Sequence, residues 1–161
     1  MNKEMVRDLF EYRGDNLYWR ERPTYNVDMS KPAGWITDKR HRRIERKGKQ
    51  YLAHRLIWLY VYGKFPDDQI DHINGDPSDN RIENLRDVTN QENNKNRSKN
   101  CNNTSGHIGV CWDKDAEKWR ARIDVNGGTK HLGYFNVLED AVAARQAASV
   151  KYGYHKNHGR D

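Results

Sequence analysis

In 71-DHINGDPSDNRIENLRDVTNQENNKNR-97 an acid is followed directly by a histidine, Asp71-His72. Asn84 stands twelve residues after His72, and Asn93 nine residues after Asn84. Thr89-Asn90-Gln91-Glu92 has the form of a capping box, so a helix is expected to begin there with Asn93 in its first turn. The pattern predicts a strand carrying Asp-His, a polar turn, a short second strand, and a helix bearing an amide. Such a hairpin and helix can present one hard cation and one general base side by side.

Upstream, Leu52, Leu56, Leu59 and Tyr60 recur at helical spacing. Trp58 and Tyr62 widen the apolar face, Gly63 can cap the end, and Pro66 lies just beyond. This predicts a core helix over 53–62. Residues 1–50 read as a short helix followed by hairpins, with strand pieces at Leu17-Tyr18-Trp19 and Gly34-Trp35-Ile36. The densest basic run, 39-KRHRRIERKGKQYLAHR-55, turns at Lys47-Gly48.

Downstream, 93-NNKNRSKNCNN-103 is rich in Asn and basic residues and has no apolar period, which reads as a helix end and a linker. From residue 104 alternation returns. Ile108, Val110 and Trp112 alternate, as do Trp119, Ala121 and Ile123, with Arg120, Arg122 and Asp124 on the other face. Asn126-Gly127-Gly128 is a hairpin signal, and a third strand is expected from Lys130. Asn136-Val137-Leu138-Glu139 has a second capping pattern. A helix is expected through Ala141, Val142, Arg145, Ala148 and Tyr152, ending at Gly153, with Leu138, Ala141, Val142, Ala148 and Tyr152 turned toward the strands.

The chain has 161 residues, 35% of them hydrophobic and 32% charged, so the expected cores are modest. A net charge of +6 points to a polyanion as partner. Cys101 and Cys111 form no metal-binding or redox pattern and are expected to stay reduced. No apolar run approaches membrane-spanning length, and residues 1–15 lack a signal-peptide core. A soluble, cytoplasmic protein is expected, with no membrane and no obligatory protein partner.

Phosphodiester hydrolysis needs an activated water, a charge stabiliser for the phosphate and help for the leaving 3′ oxygen. One Mg²⁺ can serve the last two, and it needs only one or two protein oxygens. Asp71 and Asn93 would supply a carboxylate and an amide oxygen. Imidazole suits the base because its ordinary pKa lies near neutrality. In an extended strand His72 points away from Asp71, so a bend or twist at the strand end must bring it to the water. Asn84 is expected to orient the imidazole. Asp71, Asn74, Asp76 and Asp79 also read as a Ca²⁺ loop, but counting from Asp71 the twelfth position is Ile82, with Glu83 one place late.

Asp71-His72-Ile73-Asn74-Gly75-Asp76, Asn80-Arg81-Ile82-Glu83-Asn84-Leu85-Arg86 and Asn93 resemble the HNH endonuclease family, in particular its phage and intron-encoded group. Ala53-His54-Arg55-Leu56 resembles a segment that precedes the site there. The resemblance implies a ββα-metal (His-Me finger) nuclease domain. It makes Asp71 and Asn93 metal ligands, His72 the general base and Asn84 the orienting amide. The family's third position is often His; here it is Asn93. His54 is read as structural or as a phosphate contact. Arg40, Arg42, Arg43, Arg46 and Lys47 are read as a phosphate-tracking hairpin beside such a site.

Gly109-Val110, Trp112, Lys118-Trp119-Arg120-Ala121, Leu132-Gly133-Tyr134-Phe135 and 139-EDAVAA-144 resemble the AP2 DNA-binding domain. That likeness implies a three-stranded sheet entering the major groove with a helix behind it. Arg120, Arg122 and His131 become candidate DNA contacts, with Lys114 and Lys130 nearby. Ile108 and Cys111 stand where that family carries arginines. In the linker, Arg97 and Lys99 are candidate phosphate or minor-groove contacts.

The expected protein is α+β. A nuclease domain over 1–97, with an N-terminal hairpin region, is joined by a linker at 98–103 to an AP2-like domain over 104–161. The expected activity is cleavage of double-stranded DNA by a homing-type endonuclease using Mg²⁺, with Mn²⁺ as the alternative. The rivals are a non-enzymatic DNA-binding protein with a structural HNH fold and an RNA-binding factor, the latter disfavoured because a deep RNA major groove resists a sheet.

Overall fold

The computed structural model describes residues 1–96, 99, 103–156 and 158–159. The chain is mixed α and β and divides into two compact units, Met1–Thr89 and Asn90–Asp161. Arg97, Cys101 and most of the expected linker lie outside the described residues. No helix among the described residues is long and apolar enough to cross a membrane.

In the first unit, α1 (Lys3–Leu9) is capped by Asn2, whose Oδ1 accepts the Met5 N–H at 2.9 Å. Strand β1 (Phe10–Arg13) pairs antiparallel with β2 (Asn16–Trp19). A second sheet has the order β3–β4–β5, formed by Trp35–Ile36, Arg42–Arg46 and Lys49–Leu52. Its β4–β5 turn is Lys47-Gly48, both at positive φ. Gly34 has no room for a side chain, since a Cβ there would stand 1.8 Å from the Arg43 carbonyl oxygen.

Helix α2 (Ala53–Tyr62) has the bounds the periodicity predicts, and Gly63 caps it in the left-handed conformation with its N–H on the Leu59 carbonyl. Its buried face is Ala53, Leu56, Ile57 and Leu59, packed with Val6, Phe10, Leu17, Ala33, Ile44 and Leu85. Ile57 rather than Leu52 completes that face, because Leu52 is the N-cap residue and already has extended backbone. Tyr62 is exposed and contributes little to the core. Strand β6 (Gln69–His72) and β7 (Leu85–Val88) then form an antiparallel pair, with a single 3-10 turn at Ile82–Asn84 leading into β7.

The second unit begins with the short helix α3 (Asn90–Asn94), which carries Asn93. Strands β8 (Val110–Asp113), β9 (Lys118–Val125) and β10 (Gly128–Phe135) make an antiparallel sheet of order β10–β9–β8. Asn126 and Gly127 join β9 to β10 with both residues at positive φ, the requirement of a two-residue type I′ turn. That turn starts β10 at Gly128, two residues before the expected strand start, because both ladders can close as soon as the turn ends. Helix α4 (Leu138–Lys151) packs on the sheet through Ala141, with Leu138 and Val142 beside Val110 and Ala121. The expected cap at Asn136 is replaced. Val137 is the N-cap residue and makes no side-chain capping bond, so the helix entry is held by packing.

Candidate active site

The site of the first unit is built on the β6–β7 pair. Cross-strand register sets Asp71 against Arg86 and His72 against Leu85. Asp71 is 7% exposed, and its Oδ2 accepts two bonds from Arg86, from Nη2 at 2.6 Å and Nε at 2.9 Å. The carboxylate therefore sits at the strand end with a fixed orientation and a nearby cation. His72 ends the strand. The Gly75 N–H then bonds the His72 carbonyl at 2.7 Å, and the chain turns away.

The imidazole of His72 is 5% exposed and lies among two further histidines and an asparagine. Its ring centre is 5.2 Å from that of His54, edge to face, and 5.9 Å from that of His41. His54 is the second residue of α2, and His41 immediately precedes β4. Burial first, then the neighbouring imidazoles, pulls the His54 pKa down to about 3, and burial also lowers that of His41. Both rings are thus neutral at pH 7, which is what lets three imidazoles share one pocket without repulsion. Nδ1 of His41 and Nδ1 of His54 are buried without a hydrogen-bond partner among the described residues.

Asn80 provides the polar contact to the His72 ring. Its Oδ1 lies 3.1 Å from His72 Nε2, and the residue is 1% exposed. Asn80 Nδ2 donates to the Ser78 carbonyl, which fixes which end of the amide faces the ring. An amide oxygen only accepts, so the imidazole donates from Nε2 and carries its basic lone pair on Nδ1.

Asn84 braces the loop instead of the imidazole. Its Oδ1 accepts the Asn74 N–H at 2.9 Å, while Nδ2 donates to Asn74 Oδ1 at 3.0 Å and to the Asp79 carbonyl at 2.8 Å. This corrects the expectation that Asn84 holds the ring directly. An amide in a 3-10 turn faces the loop it closes, and that loop delivers Asn80 to the ring. Tyr12 supports the same loop from β1, accepting the Ile82 N–H at 3.0 Å.

The acids of the loop are bonded to the chain itself. Asp76 Oδ1 accepts from the Ser78 N–H and hydroxyl. Asp79 accepts from the Arg81 side chain, its N–H and Asn74, and the Arg81 hydrogen bonds hold its pKa at about 2. A Ca²⁺ loop would need those oxygens pointing at an ion.

The basic hairpin approaches this loop through Arg40, whose Nη2 lies 3.1 Å from Asp76 Oδ1. Its other arginines divide by alternation. Arg43 is exposed, whereas Arg42 shares the side of buried Ile44 and reaches toward the carbonyls of Pro32 and Gly34. Arg46 is half-buried on that same side, and Lys47 is in the turn.

Among the second-unit candidates, Arg120, Arg122 and His131 share the face of the sheet turned away from Ala121 and Ile123, with Arg122 directly opposite His131. Tyr134 stacks near His131, and Arg120 pairs with Asp113 at 3.2 Å. Lys114 lies in the β8–β9 turn. Lys130 alternates onto the helix side, where its Nζ donates to the Tyr152 hydroxyl at 3.1 Å. Lys99 and Asn93 also belong to the second unit.

His41, Asn80 and Arg86 were not singled out by the sequence pattern. His41 comes from a distant loop and carried no spacing signal. Asn80 and Arg86 lay inside the informative stretch, but only the turn and the strand register reveal what they touch.

This buried Asp-His pair, held by an asparagine-braced turn, sits inside a matched family domain. Residues 51–95, which include Asp71, His72, Asn80, Asn84 and Asn93, match the family model described as HNH endonuclease. Protein 3.8 of Escherichia phage T7 is 33% identical over 87 residues, covering 53% of this chain and 72% of that protein. The chain belongs to the HNH endonuclease family. No solved structure matches it.

Proposed function

We propose that this protein is a divalent-metal-dependent endonuclease for double-stranded DNA. One observation carries the reading: His72, next to the carboxylate of Asp71, lies with Nε2 3.1 Å from Asn80 Oδ1, an acceptor that favours the tautomer with Nδ1 as the basic nitrogen. His72 Nδ1 takes a proton from water, the water oxygen bonds to phosphorus, and the bond to the 3′ oxygen breaks.

Among the described residues no group of three or more His, Cys, Asp or Glu is arranged to hold a metal ion. Mg²⁺ does not require one, since it keeps several waters and takes one or two hard oxygens. The oriented Asp71 carboxylate is such a donor. A cation bound there would stabilise charge on the phosphate and the leaving oxygen. Asn93 retains its assignment as second ligand as part of the proposal, with Asn93→Ala expected to raise the metal concentration needed for cleavage. The exposed Arg40, Arg43 and Lys47 would follow the backbone of the substrate.

The second unit is read as an AP2-like tether, with Arg120, Arg122 and His131 toward the duplex. Tethering raises the local concentration of cleavable bonds. A homing-type element is the setting we propose, by family likeness.

The test is conversion of supercoiled plasmid with Mg²⁺, Mn²⁺, Ca²⁺ or EDTA, wild type beside His72→Ala. Metal-dependent nicking or linearisation, lost in the variant while duplex binding persists, is the expected result. Tight binding without cleavage under any metal would overturn the reading in favour of a non-enzymatic DNA-binding protein.

A further inference from the structure

Helix α4 buries an arginine that has no acidic partner among the described residues. Arg145 is 5% exposed. Its Nη1 donates to the Ser149 hydroxyl, and its Nη2 lies 3.3 Å from Nε2 of His158. The guanidinium carbon stands 4.9 Å from the ring centre of Tyr154. Nε has no hydrogen-bond partner among the described residues. Burial pulls the Arg145 pKa down, with Tyr154 and Asp124 acting in the opposite sense.

These contacts hold the guanidinium but do not neutralise it. A hydroxyl, an imidazole nitrogen and an aromatic face are all uncharged groups. A buried charge without a counter-ion is costly, and removing it from water is repaid only by an opposite charge with good geometry. The chain nevertheless makes room for this one. Gly109 is at φ +79, and a Cβ there would stand 2.6 Å from Arg145 Nε and 2.3 Å from the Arg122 carbonyl oxygen. Any other residue at 109 would collide with the arginine.

Beside the guanidinium lies an open cavity of about 120 Å³, lined by His107, Val142, Arg145, Gln146, Ser149 and His158 among others. Its walls are polar where Arg145, Gln146, Ser149 and the two histidines face it. A tetrahedral oxyanion matches this set, because guanidinium is a planar fork of donors suited to phosphate oxygens.

We propose that this cavity is a phosphate-binding subsite of the second unit, with Arg145 supplying the charge. Gln146, His107 and His158 supply further donors. The phosphate group belongs either to a nucleic-acid backbone or to a free phosphate. The inference does not rest on the nuclease reading, and its test involves no cleavage.

Full-length wild type and Arg145→Met are melted in sodium phosphate and in sodium chloride at equal ionic strength. Phosphate is expected to raise the wild-type Tm by about 2 °C or more and to leave the variant unmoved. In parallel, the salt dependence of duplex binding is measured for both proteins. A slope smaller by about 0.9 in the variant assigns the phosphate to the DNA backbone. An unchanged slope, with the Tm effect lost, assigns it to a free phosphate. Should Arg145→Met fail to fold, the wild-type Arg145 Nε–H resonance decides, since it must shift and saturate on titration with inorganic phosphate. Equal phosphate responses in both proteins, or an Arg145 resonance that does not move, would overturn the proposal.

Discussion

Oδ1 of Asn80 lies 3.1 Å from Nε2 of His72, and both side chains are buried. This contact joins the end of β6 to the loop that follows it. It also selects the tautomer, because a carbonyl oxygen can only receive the ring proton. The loop that carries Asn80 is in turn fixed by the Asn84 amide and by Tyr12.

Asn80→Ala is therefore expected to lower kcat roughly tenfold or more, with little change in KM, and to cost about 1–3 kcal/mol of stability through an unsatisfied ring N–H. Asn80→Asp retains an acceptor and adds a negative charge beside the ring. It should move the acidic limb of the pH–rate profile upward. An Asn80→Ala enzyme with wild-type kcat would remove Asn80 from the positioning role.

The histidine cluster sets a pH dependence of stability. A histidine with a folded pKa below its unfolded value favours folding only while it stays neutral. Above about pH 6.5 both states are neutral and the contribution is complete. As pH falls from there toward about 3, the folded pKa of His54, the unfolded chain takes the proton first. Across that window His54 alone should lower stability by about 1.4 kcal/mol per pH unit, and His41 acts in the same direction. Urea unfolding between pH 4.5 and 7 measures it, and His54→Phe should flatten the curve. An unchanged slope in that variant would show that another group carries the dependence.

The two faces of the second unit's sheet give a paired prediction. Arg122→Ala removes an exposed charge opposite His131 and should weaken duplex binding, with the salt slope reduced by about 0.9 if it meets a phosphate. Lys130→Ala removes a charge on the helix side, bonded to Tyr152, and should leave binding near wild type. Fluorescence anisotropy with labelled duplex at several salt concentrations separates them. A larger loss from Lys130→Ala would mean that the other face meets the DNA.

Much of the architecture is local and therefore legible in the sequence. Helix α2 could be read from apolar spacing and Gly63, because a 3.6-residue period and a left-handed cap need no distant partner. The Asn126-Gly127 turn follows from two residues that tolerate positive φ. The Asp71-His72 pair and the asparagines after it stood out by spacing alone.

What the sequence could not contain is which groups meet. Asn84 braces the turn and Asn80 reaches the ring because a 3-10 turn and the β6–β7 register aim their amides, and one residue's shift in register reverses every side chain. The same pleat put Lys130 on the helix side and split Arg42 from Arg43. His41 and His54 gather around His72 only when β4, α2 and β6 pack on one core, so the burial that keeps them neutral is a property of tertiary structure alone. Residue type and spacing fixed the chemistry available, and packing decided which atoms face one another.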